Sequence, residues 1–185
     1  MSVSKVIKQK SYEKVIFLLR RHALTFLPIV LLFLLLLLIP VALYFMLNNL
    51  FPEILAGEKT HATFILFSSA YYLSTYSFFY GRFIDFYLDM WVVTNDRIVD
   101  IEQHGLFHRE ITELDLYRIQ DATATVKGFF ATIFQYGDVN VKTASSNTNI
   151  IFRNVHRPNH VREQLIKLAD EDRKYHMQDI KLDMN

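Results

Sequence analysis

The chain has 185 residues, 51% of them hydrophobic, and its 20 basic and 19 acidic side chains leave a formal charge of +1 at neutral pH. No block of like charge or basic stripe suggests nucleic-acid binding, so no nucleic-acid partner is expected. The absence of cysteine excludes disulfides and thiolate metal sites, and it suits a reducing compartment.

Residues 1–22 form a basic segment in which Lys5, Lys8, Lys10, Lys14, Arg20 and Arg21 face one acid, Glu13. A Lys or Arg beside anionic lipid is worth about 1 kcal/mol, which makes these six the candidate lipid-surface residues. They could equally act only as a topology signal.

Residues 23–47 carry no charge and centre on Leu34-Leu35-Leu36-Leu37-Leu38-Ile39. About 20 residues at 1.5 Å each cross a hydrocarbon core of roughly 30 Å, so this run is expected to span a membrane. A signal peptide has a shorter apolar core and a small-residue cleavage site, which residues 44–49 do not offer. Pro28 and Pro40 stand near the two ends, where a lost helical hydrogen bond is easiest to tolerate.

A short extracytoplasmic loop, residues 48–60, leads to a second candidate span at residues 61–81, also free of Asp, Glu, Lys and Arg. Its serines and tyrosines dilute the phenylalanines and leucines, so insertion alone would be marginal. Ala70, Ser74, Ser77 and Gly81 form a small-residue stripe, expected to let the first helix approach closely. Because Lys and Arg concentrate before the first span, both chain ends are expected in the cytoplasm, as in a multi-pass protein of the cell membrane.

Residues 82–176 suffice for one small domain, followed by a tail at 177–185. Residues 88–94 are β-branched and aromatic and end at the turn pair Asn95-Asp96. Val99 and Ile101 alternate with Asp100 and Glu102, as a half-buried strand requires. His104-Gly105 turns into a strand over 106–114. Ala122, Ala124 and Val126, then Val139 and Val141, continue the alternation; residues 129–136 form a loop or short helix, and 145–149 a turn before a strand at 150–155. From Pro158 the period changes, and Val161, Leu165 and Leu168 mark an amphipathic helix to about Tyr175. The fold class is therefore an α+β membrane protein: a two-helix transmembrane hairpin, then an antiparallel β-sandwich or open barrel capped by a C-terminal helix.

The stretches Trp91-Val92-Val93-Thr94-Asn95-Asp96-Arg97-Ile98, Gly105-Leu106-Phe107 and Arg118-Ile119-Gln120-Asp121 resemble the bacterial PH-domain family of YdbS-like membrane proteins. So do Phe134-Gln135-Tyr136-Gly137-Asp138-Val139 and Phe152-Arg153-Asn154-Val155-His156-Arg157-Pro158, with Glu13-Lys14-Val15-Ile16 and Arg20-Arg21-His22 upstream. The resemblance implies a cytoplasmic PH-like domain on a membrane hairpin, with no established enzymatic activity. Phosphoinositide-binding PH domains cluster bases at their first hairpin loop; the turn Asn95-Asp96-Arg97 pairs one base with one acid and does not match.

Chemistry has little to build on. His104 and His108 are four apart but fall in a turn and a strand, and His156 and His160 straddle Pro158; neither makes an H-E-x-x-H arrangement. Asp85 and Asp89, four apart at the end of the second span, could take a cation, but such a pair more often ends a helix in solvent or pairs with a base. No phosphate loop or nucleophile elbow is present, and neither span holds a charge midway. The chain is thus expected to be non-enzymatic and to need no cofactor or metal.

The expected partners are the lipid bilayer and an unknown membrane or cytoplasmic protein, or further copies of the chain as a homo-oligomer. The candidate interaction residues are Phe129, Phe130 and Phe134, whose alternative role is to fill the open end of the barrel. The alternative function is sensing of anionic lipid at the cytoplasmic leaflet.

Overall fold

The computed structural model describes residues 9–10, 12–143 and 150–183, the stretch 176–183 by its backbone only. The turn expected at 145–149, and Lys5 and Lys8, lie outside the described residues. The chain divides into two units: residues 23–86, and residues 1–22 with 87–185.

In the helical unit, a 3-10 turn at Ala23–Phe26 runs into α1 (Leu27–Leu50), followed by α2 (Pro52–Ala56) and α3 (Glu58–Leu88). Among the described residues, 23–50 is the one helical stretch long and apolar enough to cross a membrane. Leu31, Leu32, Leu34, Leu35 and Leu38 are all more than half exposed. The longer α3 does not reach that apolarity, because serine, threonine and tyrosine interrupt it.

The small-residue stripe is not where the two long helices meet. Ala70, Ser74 and Ser77 are exposed, the two serine hydroxyls donate to the carbonyls of Ala70 and Leu73 on their own helix, and a Cβ on Gly81 would meet nothing within 4 Å. An aromatic stripe makes the contact instead. Phe79 stacks on Phe33 at 4.2 Å, Phe26 packs on Phe79, Phe83 and Phe86, and Thr75 is buried. The Tyr71 and Tyr72 hydroxyls donate to the carbonyls of Leu36 and Leu37 at 3.1 and 3.2 Å. Such tyrosines bring both apolar area and a satisfied polar tip, which small residues cannot.

The second unit is built on two antiparallel sheets. Strands β1 (Val15–Leu19), β2 (Met90–Thr94), β3 (Arg97–His104) and β4 (His108–Asp115) form one sheet in that order. Strands β5 (Ile119–Thr125), β6 (Tyr136–Thr143) and β7 (Ile150–His156) form the other. Between β5 and β6 lies the one-turn helix α4 (Phe129–Ile133), and α5 (Pro158–Asp183) closes the chain. The core joins Trp91, Val93 and Ile98 from the first sheet, Val139, Val141 and Phe152 from the second, and Val161, Leu165 and Ala169 from α5.

The domain does not begin at residue 82, as expected, but upstream of the apolar run. The basic segment contributes β1, with Phe17 opposite Val93 and Leu19 opposite Trp91, so the helices interrupt the sheet between its first two strands. The local run Val-Ile-Phe-Leu-Leu has strand character, but its partner lies beyond two helices, where no local pattern reaches. The alternation in β3 also has the right period and the opposite face. Asp100 sits across from Trp91 on the core side, while Val99 and Ile101 form a separate buried cluster with Val92. Both faces of this strand are covered, so alternation alone does not tell which one faces the main core.

Candidate interaction surface

Gly128, at φ 102°, turns the chain out of β5 into α4, and the Thr132 amide and hydroxyl both bond back to its carbonyl. A single helical turn cannot bury every face. Ala131 points inward and is buried, which leaves Phe129 at 75%, Phe130 at 66%, Ile133 at 56% and Phe134 at 44% exposure. The Phe129 and Phe130 rings meet edge to face at 5.7 Å. The three candidate phenylalanines therefore lie together on the surface rather than filling the end of the sandwich.

The patch is held firmly. The Arg157 amide donates to Gln135 O at 2.7 Å, and Tyr136 stacks on His22, which in turn stacks on His156. Burial, then the neighbouring His156, holds His22 below the usual imidazole range. At Gly137 a Cβ would lie 2.4 Å from the Thr125 carbonyl oxygen, so the strand after the patch can approach β5 only as glycine.

A second apolar surface lies on the first sheet. Strand β1 is at the edge of its sheet, and its outward residues Ile16 and Leu18 are 46% and 36% exposed. Edge strands of this character pair readily with other chains. The β3–β4 turn exposes Leu106 and Phe107 as well. Here the signal was available: two large apolar residues directly after the turn glycine Gly105.

The candidate lipid-surface residues divide. Lys10 pairs with Asp96 at 2.6 Å, and Arg21 pairs with the buried Asp89 at 2.6 Å. Lys14 is exposed, and the exposed Arg20 lies over the Tyr87 ring at 5.3 Å. Asp89 also accepts the Gln103 amide at 2.7 Å, so it is a structural anchor rather than a solvated helix end.

Two further acids sit in the interior. Glu13, 2% exposed, takes Arg97 Nε at 3.0 Å on one oxygen and Nη2 at 3.1 Å on the other, with the Thr94 hydroxyl and the Lys10 amide also donating. Burial pushes its carboxyl up, but these donors prevail and it lies below the usual range. Asp100 is held less well: among the described residues its buried Oδ1 has no hydrogen-bond partner, and the Trp91 indole and the Arg153 charge favour its ionised form too weakly to offset burial. Burial, with the charges of Glu102 and Asp89 adding to it, pushes Asp100 up to about 7.

His104 and His108 face each other across the β3–β4 ladder at 5.7 Å between rings. Among the described residues, no three His, Asp or Glu side chains converge as metal ligands would.

The model of one protein family, described as bacterial PH domain, matches residues 18–169. Among solved structures, a DUF1696 family protein with a pleckstrin-homology domain from Shewanella loihica PV-4 is similar at 13% identity and a TM-score of 0.37, over 44% of this chain and 70% of that one. No curated protein matches the chain.

Proposed function

Because the chain belongs to the bacterial PH-domain family, we propose that it is a non-enzymatic integral membrane protein whose PH-like domain acts as a protein-interaction or self-assembly module. Helices α1 and α3 cross the bilayer as a hairpin, residues 51–57 lie outside, and the domain works at the cytoplasmic face. The pairing of β1 with β2 carries the hairpin. The chain leaves the sheet after β1 and must return to the same sheet at β2. If α1 crosses, a second crossing must bring the chain back, and within residues 61–81 α3 has about 30 Å of helix free of Asp, Glu, Lys and Arg. The lysines and arginines of residues 1–22 favour the cytoplasm for that sheet.

The exposed Phe129, Phe130 and Phe134 support the interaction role. Anchoring confines the domain to the membrane plane and raises effective concentration, so a small patch suffices for useful assembly. The alternative, an anionic-lipid sensor built on the basic segment, is weakened because Lys10 and Arg21 are engaged within the domain.

A photoreactive residue in place of Phe130, activated in native membranes, tests the role. Discrete protein adducts, including adducts to a second copy, are expected. Adducts to lipid alone would move the function to lipid sensing.

A further inference from the structure

We propose that the β3–β4 turn is a lipid-inserting wedge, with Phe107 and Leu106 entering the interfacial region of the same bilayer that the helices cross. The proposal rests on the anchoring reading above and adds a second, reversible contact between the domain and the membrane.

Phe107 is 98% exposed and Leu106 is 54% exposed. No loop requirement explains a phenylalanine there, since Gly105, at φ 71°, already makes the turn. Sheet register shows where the turn points. In the order β1-β2-β3-β4, all antiparallel, β1 and β3 run the same way. Leu19 pairs with Trp91, which faces Asp100, and Met90 pairs with Ile101, so these two adjacent rows mark the edge past which the chain leaves β1 and from which it enters β2. Beyond Ile101, β3 continues through His104 and turns, so its tip projects roughly 13 Å past the Ile101 row at about 3.3 Å per residue. Residues 20–22 can reach at most roughly 10 Å past Leu19 before the uncharged run begins. The wedge therefore extends past the edge of the sheet at which the chain leaves β1 and enters β2.

The turn is also braced to that departure point. Gln103 donates its amide to Asp89 and its side chain to Gly105 O at 2.6 Å, and Asp89 is held by Arg21. Thus the residues flanking both chain connections fix the base of the hairpin. Around the apolar tip the exposed His104, His108 and Arg109 offer donors to phosphate head groups, alongside the exposed Glu110 and the half-buried Glu102, which lies 3.5 Å from His104. The opposite turn of the sheet, Asn95-Asp96, is polar and engaged with Lys10 and Lys14. An apolar tip on the departure side and a polar turn on the other match a lipid surface better than a protein partner.

The chain contains no cysteine, so single cysteines can report position in the full-length protein. Phe107→Cys is labelled with an environment-sensitive fluorophore and reconstituted in phosphatidylethanolamine–phosphatidylglycerol vesicles, with Tyr117→Cys, beyond the far end of β4, as reference. Acyl-chain nitroxide lipids are expected to remove most of the fluorescence at position 107 and little at 117, while aqueous iodide does the reverse. Iodide quenching at 107 without lipid quenching would overturn the wedge. So would protection from both quenchers, which would mean that protein covers the turn. Alkaline carbonate applied to the same vesicles separates the two readings: protein that stays with the lipid while 107 remains wet refutes the wedge alone, and released protein refutes the anchoring together with it.

Discussion

The Glu13–Arg97 pair shows how single residues hold an interrupted domain together. Glu13 precedes the apolar helix and Arg97 follows the second one, yet they form a two-pronged, nearly dry ion pair beside Thr94. Removing one partner of such a pair leaves an uncompensated buried charge. Arg97 also pairs with Glu113, so the variant that strands a charge is Arg97→Ala, which leaves the buried Glu13 without its cation and is expected to cost about 3–5 kcal/mol in denaturant unfolding of the detergent-solubilised chain. Asp100 works in the other direction. Its folded-state carboxyl titrates near 7, above the ordinary carboxylate value, so the folded state holds a proton that the unfolded chain has lost. Stability should therefore fall as pH rises from about 4 to 7 and level off above, to the extent that Asp100 controls it. Asp100→Asn is expected to flatten that decline and to raise the unfolding midpoint at pH 8; an unchanged pH profile would count against it. Neither residue's role was legible in the sequence. Glu13 looked like a lone acid in a basic segment, and Asp100 like the solvent side of an alternating strand, because the groups that decide their fates belong to other strands.

At the scale of elements, most of what the sequence could supply was periodicity, and periodicity located β2, β6, β7 and the start of α5 well, though that helix runs on to Asp183 through residues expected to be a tail. Val139 and Val141 are fully buried, and Val161 and Leu165 do face the core from α5. Pairing over distance was hidden: β1 finds β2 across both helices. The inter-helix contact was read from small residues and is made by aromatic ones, since shape complementarity between Phe33 and Phe79 is not a sequence pattern. In α4 the aromatic density was visible, and its exposure follows from a turn too short to bury more than Ala131. Replacing Phe129 and Phe130 together with serine should thus leave the unfolding free energy within about 0.5 kcal/mol of the parent, as surface changes do. Denaturation of the purified double variant checks this. A cost above about 2 kcal/mol would return both rings to a packing role.

For the whole molecule, the family assignment and the two-sheet domain agree with what the motif order suggested, and the match over residues 18–169 runs through the helices as well as the strands. An insertion between two paired strands has a consequence for a membrane protein: both ends of the inserted segment must lie on one side. That constraint comes from strand register and is independent of how apolar α3 is. Impermeant maleimide labelling of intact cells tests it directly, using Glu53→Cys between the long helices and Gln120→Cys in the domain, both exposed positions. Glu53→Cys is expected to label without permeabilisation and Gln120→Cys only after it. Equal behaviour of the two cysteines, both protected or both labelled from outside, would contradict a hairpin that carries this domain on the cytoplasmic face.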